Sequence, residues 1–193
     1  MRLFLAIEVP DAVRQHLADF TQRTNLSDLV VVSYGFDANV TVTRPENLHV
    51  TLKFLGEVDE PAAPALTDAL RSVRVEAPIK VWAGHPELLP PRGPIGVVSV
   101  GLDGDVGRVA LLHRAIEGAC EEQGFPPDPR PYLPHITLGR ARKPLPGGIR
   151  ATLAEKLASH LPGPQFEVDR FALFESQLGS GPPRYVRLAE FGG

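Results

Sequence analysis

Apolar residues recur along this chain with two different spacings, one typical of β-strands and the other of α-helices. The segment LFLAIEV (3–9) is rich in strand-forming residues and stops at a proline. Asp11 follows and can cap a helix in which Val13, Leu17 and Phe20 recur on one face. The pattern therefore predicts a strand and then an amphipathic helix at the start of the chain.

The same spacings predict strands and helices in mixed order over the rest of the chain. A second helix is expected to open at Asp59 and Pro61, and the proline-rich stretch 125–134 is expected to be irregular. The other predicted elements are strands at 29–33, 39–43, from His49 to near Gly56, at 79–84, at 95–101 and from His135, a hairpin of 166–176 with 184–191, helices at 105–123 and 150–160, and a loop at 87–94.

This order of elements predicts an α+β fold in which two mostly antiparallel sheets carry flanking helices. No segment has the length or the low complexity of a linker, so residues 1–193 are expected to form a single bilobal domain with a shared cleft. Two similar short motifs lie about half a chain apart, which favours a duplication into two lobes that each supply one motif.

A short polar row interrupts the apolar run NLHVTLKFLG (47–56), which contains the first motif. Because side chains alternate between the two faces of a strand, His49, Thr51 and Lys53 are predicted to share one face. The opposite face is apolar and is expected to pack against the core. The strand thus presents an imidazole and a hydroxyl side by side on one face, while its other face anchors it to the core.

The run PYLPHITLGR (131–140) repeats this pattern, with His135 and Thr137 on one predicted face. If the two lobes face each other, both histidines and both threonines converge on one cleft. That set suits phosphodiester chemistry, because one imidazole can deprotonate a nucleophile while the other protonates the leaving oxygen. The threonine hydroxyls can donate to the phosphate oxygens as negative charge develops on them.

Two other interpretations compete with catalysis. A single His-x-Thr sequence is a weak motif and is commonly a half-exposed strand face, although two copies in the same order favour catalysis. Histidines on facing strands can also bind zinc, but threonine is a poor zinc ligand and no third ligand shows suitable spacing. The remaining histidines are predicted to be solvated or structural and to lie without partners in helices or a loop: His16, His85, His113 and His160.

Composition and charge add three expectations. The net charge is −3 over 193 residues, so contact with an anionic substrate requires a local basic patch. The single cysteine, Cys120, excludes an internal disulfide, favours a reducing compartment and is expected to be a buried apolar residue. The first apolar run ends at Glu8, too early for a signal peptide or a membrane span, so a cytoplasmic location without membrane contact is expected.

The motifs and their flanks resemble the 2H phosphoesterase superfamily, in particular its RNA 2′,3′-cyclic phosphodiesterase branch, also described as 2′-5′ RNA ligases. The resemblance covers nearly the whole chain in four ordered blocks: RLFLAIEVPDAVRQHL, RPENLHVTLKFLGEV, YLPHITLGR and LFESQLGSGPPRYVRL. It implies a bilobal α+β fold with pseudo-two-fold symmetry and a positively charged cleft. It also implies that the reaction needs no metal ion or other cofactor.

The implied activity is the opening of a 2′,3′-cyclic phosphate at an RNA 3′ end to leave a 2′-phosphate, with 2′-5′ joining of RNA ends in the reverse direction. By position, His49 and Thr51 fill the first motif, and His135 and Thr137 fill the second. The resemblance makes His49 the proton donor to the departing 3′ oxygen and His135 the proton acceptor that activates water.

The implied partners are RNA 3′ ends, tRNA fragments among them, and the chain is expected to act as a monomer. Two alternatives stay open at this point. One is a phosphodiesterase that acts on small cyclic nucleotides, and the other is a non-catalytic protein that binds RNA 3′ ends.

Four residues near the motifs are candidates for substrate binding. Lys53 could place a cation near the phosphate or could equally be a solvated lysine. Tyr132 could stack on the terminal base, and Arg130 and Arg140 could pair with phosphates. Strict alternation points Arg140 away from His135, so it needs a bulge or a strand end to reach the cleft. The basic run RARK, which begins at Arg140, is a candidate patch for the RNA tail or simply a solvated run.

Overall fold

The two strands that carry the H-x-T motifs lie next to each other in one antiparallel sheet. The computed structural model describes residues 1–23, 40–179 and 181–192. The strands in these residues are β1 (Arg2–Glu8), β2 (Val40–Val42), β3 (His49–Glu57), β4 (Ile79–Leu89), β5 (Ile95–Gly104), β6 (His135–Leu145), β7 (Phe166–Val168), β8 (Phe171–Gln177) and β9 (Arg184–Phe191). The α-helices are α1 (Asp11–Arg23), α2 (Ala63–Leu70), α3 (Val106–Glu121) and α4 (Arg150–Ala158).

The sheet divides into two halves at the two motif strands. Its order is β7-β4-β5-β6-β3-β1-β8-β9, with the short β2 paired to β6, and each pairing is antiparallel. The first half-sheet is therefore β3-β1-β8-β9, and the second is β6-β5-β4-β7. The predicted α+β class with antiparallel strands is confirmed. The halves are not two separate sheets, however, because the pair Val50–Ile136 joins them through the neighbouring motif strands.

One large buried cluster of apolar residues holds the helices against the sheet. Strand residues such as Leu5, Val50 and Ile136 share this cluster with helix residues such as Leu17 and Ile116. The helices therefore cover one face of the sheet and exclude water from it. The opposite face, here termed the cleft face, carries the polar side of the motif strands and a smaller buried cluster of four residues, Phe4, Ala6, Ala172 and Phe174.

Most predicted strands and helices are present, and most differences lie at their ends. The predicted hairpin is confirmed only for β8 and β9, because the stretch 166–168 forms the separate strand β7, which pairs with β4. The second helix begins later than predicted, since a 3₁₀ turn at Glu60–Ala62 comes first and α2 starts at Ala63. The predicted loop 87–94 is wrong over its first three residues. There β4 continues to Leu89, which pairs with Val97, because the core still buries one leucine of this stretch. The predicted strand at 29–33 lies outside the described residues.

Two expectations from composition can be compared with the structure. Cys120 is buried on α3 as predicted, and burial raises the pKa of its thiol to about 11. A thiol with so high a pKa is a poor nucleophile near neutral pH. Across the described ranges, no helix is both long enough and apolar enough to span a bilayer.

Candidate active site

Each motif strand contains a β-bulge directly after its threonine. On β3, the register with β1 skips Leu52, which lies between the paired residues Thr51 and Lys53. On β6, the register with β5 skips Leu138, the residue that follows Thr137. A bulge sets two residues opposite one, so the side chains beyond it change faces relative to strict alternation.

The bulge on β3 overturns the predicted position of Lys53. Strict alternation places Lys53 beside His49, but the bulge turns it to the helix side, where its side chain is only 3% exposed. Its Nζ donates to Glu117 Oε2 at 2.6 Å and to Pro126 O at 2.8 Å. The predictions of Lys53 as a phosphate ligand or as a solvated lysine are therefore both wrong. Phe54 takes the place on the cleft face and is 60% exposed.

The bulge on β6 brings Arg140 to the cleft face. Strict alternation alone points this arginine away from His135. The bulge shifts the alternation by one residue, so Gly139 lies on the buried side and Arg140 on the cleft face. Burial is the main reason why the pKa values of His49 and His135 are low, and the charge of Arg140 lowers both further. A single guanidinium therefore acts on both imidazoles.

His49 is held by two contacts along its own strand. Its Nδ1 lies 2.7 Å from Asn47 O, and its Nε2 lies 3.0 Å from Thr51 Oγ1. Burial lowers the pKa of His49 to about 4; the bond to Asn47 raises it, and the charges of Arg140 and His135 lower it. At pH 7 the His49 imidazole is therefore neutral.

His135 repeats this arrangement in the second half of the chain. Its Nδ1 lies 2.7 Å from Leu133 O, which is again the carbonyl two residues earlier. Burial lowers the pKa of His135, the bond to Leu133 and the charge of Glu87 raise it, and Arg140 lowers it. Because a carbonyl can only accept, Nδ1 of each motif histidine carries the proton, and Nε2 is the nitrogen left for proton transfer.

The pair Val50–Ile136 brings the two motifs together. These are the middle residues of the two H-x-T sequences, and they pair where the half-sheets meet. Continuing this antiparallel register sets each motif histidine opposite the threonine of the other motif, on the face away from the helices. The structure thus brings together the four residues predicted as catalytic: His49, Thr51, His135 and Thr137.

An aromatic wall lines the first half-sheet beside His49. Phe4 lies at its centre, with its ring centroid 5.1 Å from that of His49 and 4.8 Å from that of Tyr185. It also contacts the rings of Phe54 and Phe174. Phe4 packs on the cleft face, in the smaller buried cluster and outside the main core. The sequence interpretation missed Tyr185. The available signal was the alternation in RYVRL, which places Tyr185 on the same face as Arg187, the partner of Phe174.

A third histidine lies on the cleft face of the second half-sheet, which corrects the prediction of a loop residue without partners. His85 belongs to β4 and pairs with Gly101, which in turn pairs with His135. Its ring lies over Gly101, where a Cβ would collide with the imidazole. Its Nδ1 is 2.9 Å from Asp103 Oδ1, and its Nε2 is 3.6 Å from Glu87 Oε2. This side of the cleft is therefore polar where the other side is aromatic.

The two remaining candidates lie in the proline-rich stretch before β6. Arg130 is exposed and pairs with Asp128 through Nη2–Oδ2 at 2.6 Å and Nε–Oδ1 at 3.0 Å, so its role as a phosphate ligand stays a prediction. Tyr132 stacks on His113 with centroids 3.9 Å apart, and its hydroxyl donates to Thr51 O at 3.1 Å. One face of the ring and the hydroxyl are thus engaged within the protein, and the base-stacking role of Tyr132 stays a prediction.

The other histidines have structural partners. His16 Nε2 lies 3.3 Å from His160 O, and His113 Nε2 lies 3.4 Å from Glu117 Oε1. The prediction of structural histidines holds for them, but the prediction that they lack partners is wrong. Among the residues that the structure describes, no three His, Cys, Asp or Glu are grouped so that they could hold a metal ion.

Comparison with known proteins identifies relatives over almost the whole chain. The family described as the 2′-5′ RNA ligase superfamily matches residues 9–179. The chain is 31% identical over 191 residues to an RNA 2′,3′-cyclic phosphodiesterase of Archaeoglobus fulgidus, covering 99% of each protein. It is 26% identical over 193 residues to a protein of the same name from Methanocaldococcus jannaschii, covering 99% of this chain and 100% of the relative.

Solved structures show a similar fold. The crystal structure of TT0787 of Thermus thermophilus matches with a TM-score of 0.74 and 27% sequence identity. The match covers 99% of this chain and 97% of that chain.

Proposed function

This chain belongs to the 2′-5′ RNA ligase superfamily, and we propose that it opens the 2′,3′-cyclic phosphate at RNA 3′ ends, such as those of tRNA fragments, to leave a 2′-phosphate. The observation that carries this proposal is the matched orientation of His49 and His135. Each imidazole has its Nδ1 bonded to its own backbone, so Nε2 is the nitrogen available for proton transfer on the cleft face, where that of His49 lies beside the Thr51 hydroxyl. Two imidazoles in that arrangement can serve as base and acid on the two sides of one phosphate.

The proposed reaction moves one proton at each histidine. His135 accepts a proton from water at Nε2 as the water oxygen attacks phosphorus. His49, in its protonated form, donates from Nε2 to the 3′ oxygen as the bond between that oxygen and phosphorus breaks. The bond to the 2′ oxygen remains, so the product carries a 2′-phosphate and a free 3′ hydroxyl. With the 5′ hydroxyl of a second RNA in place of water, the same step forms a 2′-5′ linkage.

Three groups are available to stabilise the charge that develops on the phosphate. Thr51 and Thr137 carry hydroxyls beside the two imidazoles, and Arg140 adds a cation that acts on both. Hydrogen bonds from charged donors to phosphate oxygens are among the stronger ones in proteins. The exposed ring of Phe54, on the same face as His49, offers the terminal base a surface on which to stack.

The low pKa of His49 is compatible with a proton donor only once substrate is bound. Burial holds this pKa at about 4, so few molecules of the free protein carry the proton at pH 7. An anion beside a buried imidazole favours its charged form and raises its pKa. In the proposed mechanism, the bound phosphate therefore raises the pKa of His49 and favours the protonated form that donates.

The proposed activity is tested with an oligoribonucleotide that ends in a 2′,3′-cyclic phosphate, incubated with the protein in excess EDTA. We expect turnover to a 2′-phosphate at the rate seen without EDTA, because the histidines, threonines and arginine supply both proton transfer and charge stabilisation. Binding without turnover would identify an RNA-end binding protein. Activity lost to EDTA and restored by zinc would identify a metal hydrolase. A 3′-phosphate product would contradict the proposed direction of bond cleavage.

The pH dependence of kcat/KM tests whether the reactive form of the histidine pair carries a single proton. The mechanism needs one proton on the pair, and burial lowers both pKa values below the usual 6.5, that of His49 to about 4. Above both pKa values the protonated fraction of the free enzyme falls about tenfold per pH unit. We therefore expect kcat/KM to peak below pH 6.5 and to fall with a slope near −1 between pH 7 and 9. A rate that is flat or rises over that range would contradict the shared proton.

A further inference from the structure

A buried polar cluster lies behind the first motif, on the helix side of β3. Lys53 Nζ is 2.6 Å from Glu117 Oε2, and the two side chains are only 3% and 12% exposed. The second carboxylate oxygen, Oε1, lies 3.4 Å from His113 Nε2 without meeting hydrogen-bond geometry in the described residues. Because charges lose solvation on burial, a buried ion pair is weak evidence for added stability. The other contacts of this cluster indicate a different role for the ion pair.

The cluster holds the irregular segment 125–134 at two points. Lys53 Nζ also donates to Pro126 O at 2.8 Å, near the start of the segment. Tyr132, near its end, donates its hydroxyl to Thr51 O at 3.1 Å. The Tyr132 ring stacks on His113 of α3 at 3.9 Å, with only 8° between the ring planes. Both ends of the segment are thereby attached to the strand that carries the first motif.

This segment leads directly into the second motif and supplies the group that orients it. Leu133 O accepts the hydrogen bond from Nδ1 of His135, which sets both the tautomer and the direction of the ring. Leu133 is the neighbour of Tyr132, whose hydroxyl is bonded to Thr51. A shift of the segment therefore moves the carbonyl that aims His135, while His49 takes its own orienting bond from Asn47.

We propose that Lys53, Glu117 and Tyr132 are positioning residues that set the second motif histidine against the first. None of the three needs to touch the substrate, since they act through the segment 125–134. The inference rests on the proposed function, in which both histidines transfer protons to or from one phosphate. A misplacement of about 1 Å at a catalytic group can cost about 10²-fold in rate.

Two variants test the proposal on the full-length protein. Tyr132→Phe keeps the stacked ring and removes only the hydroxyl bonded to Thr51. The double variant Lys53→Met with Glu117→Leu removes both buried charges together, so that neither is left unpaired, and it removes the bond to Pro126. We expect each to fold and to lower kcat for the cyclic phosphate by about 10- to 100-fold, with KM changed less than about threefold.

A core variant far from the segment separates positioning from stability. Leu157→Ala in α4 opens a cavity in the buried core and should lower the thermal midpoint while leaving kcat at 25 °C unchanged. The proposal is overturned if Tyr132→Phe keeps a kcat within twofold of the wild type, or if Leu157→Ala loses kcat as much as the double variant does. Failure of the proposed function itself looks different, because the wild-type protein would then not turn over the substrate.

Discussion

Replacing His135 with alanine is expected to lower kcat for cyclic phosphate opening by about 10²–10⁴-fold, and replacing His49 should have an effect of similar size. Each imidazole supplies one of the two proton transfers through Nε2, and no other described residue beside them has a matching orientation. The loss in the double variant should fall well short of the product of the single losses, because the two groups act as a unit. Initial rates on an RNA with a cyclic 3′ end measure these effects.

His160 supplies the matched control for these substitutions. It lies just beyond α4, where its backbone carbonyl contacts His16 and its ring packs on Phe20, on the side of the sheet away from both motif histidines. We expect His160→Ala to keep the wild-type rate on the same substrate. Circular dichroism and the thermal midpoint would establish that each variant is folded. A folded His49 or His135 variant with a rate close to that of the wild type would remove the basis of the acid and base roles.

Replacing Arg140 with methionine is expected to lower kcat/KM by about 10²–10³-fold. The bulge on β6 brings the guanidinium to the cleft face, where its charge acts on both His49 and His135. Removing a preorganised donor from a developing oxyanion typically costs a factor of this size. The loss should appear in kcat as well as in KM, since the charge on phosphate grows towards the transition state.

A control variant that removes one positive charge on the helix side distinguishes the local effect of Arg140 from an effect of the net charge of the protein. Arg114 is exposed on α3, the helix that packs behind the first motif. Arg114→Met should therefore leave kcat/KM within about twofold of the wild type. Equal losses in Arg114→Met and Arg140→Met would show that the general field of the protein, rather than Arg140 in the cleft, attracts the RNA.

Most of the secondary structure could be predicted from local sequence, because the periodicity of apolar residues is a property of short stretches. The helix from Asp11 and the strands at 79–84 and 95–101 could be recognised from the spacing of apolar residues alone. The pairing of an imidazole with a hydroxyl on one strand face was equally local, since alternation places His49 beside Thr51. Chemistry that depends on a spacing of two residues is visible before the fold is known.

Alternation failed one residue beyond each threonine, where the register between strands departs from the regular pattern. The bulges at Leu52 and Leu138 depend on hydrogen bonds to β1 and β5, which lie far away in the sequence. They bury Lys53 and bring Phe54 and Arg140 to the cleft face. A single strand contains no sign of such a shift, because a bulge is a property of two paired strands.

The sequence by itself determined which groups are candidates for the chemistry and that they come in two copies about half a chain apart. Only the tertiary structure decided that Val50 pairs with Ile136, that the two copies meet on one face, and that Lys53 turns towards Glu117. The physical reason is that side-chain alternation is set within a few residues, whereas strand register and the partners of a buried charge are set by segments that meet only after folding.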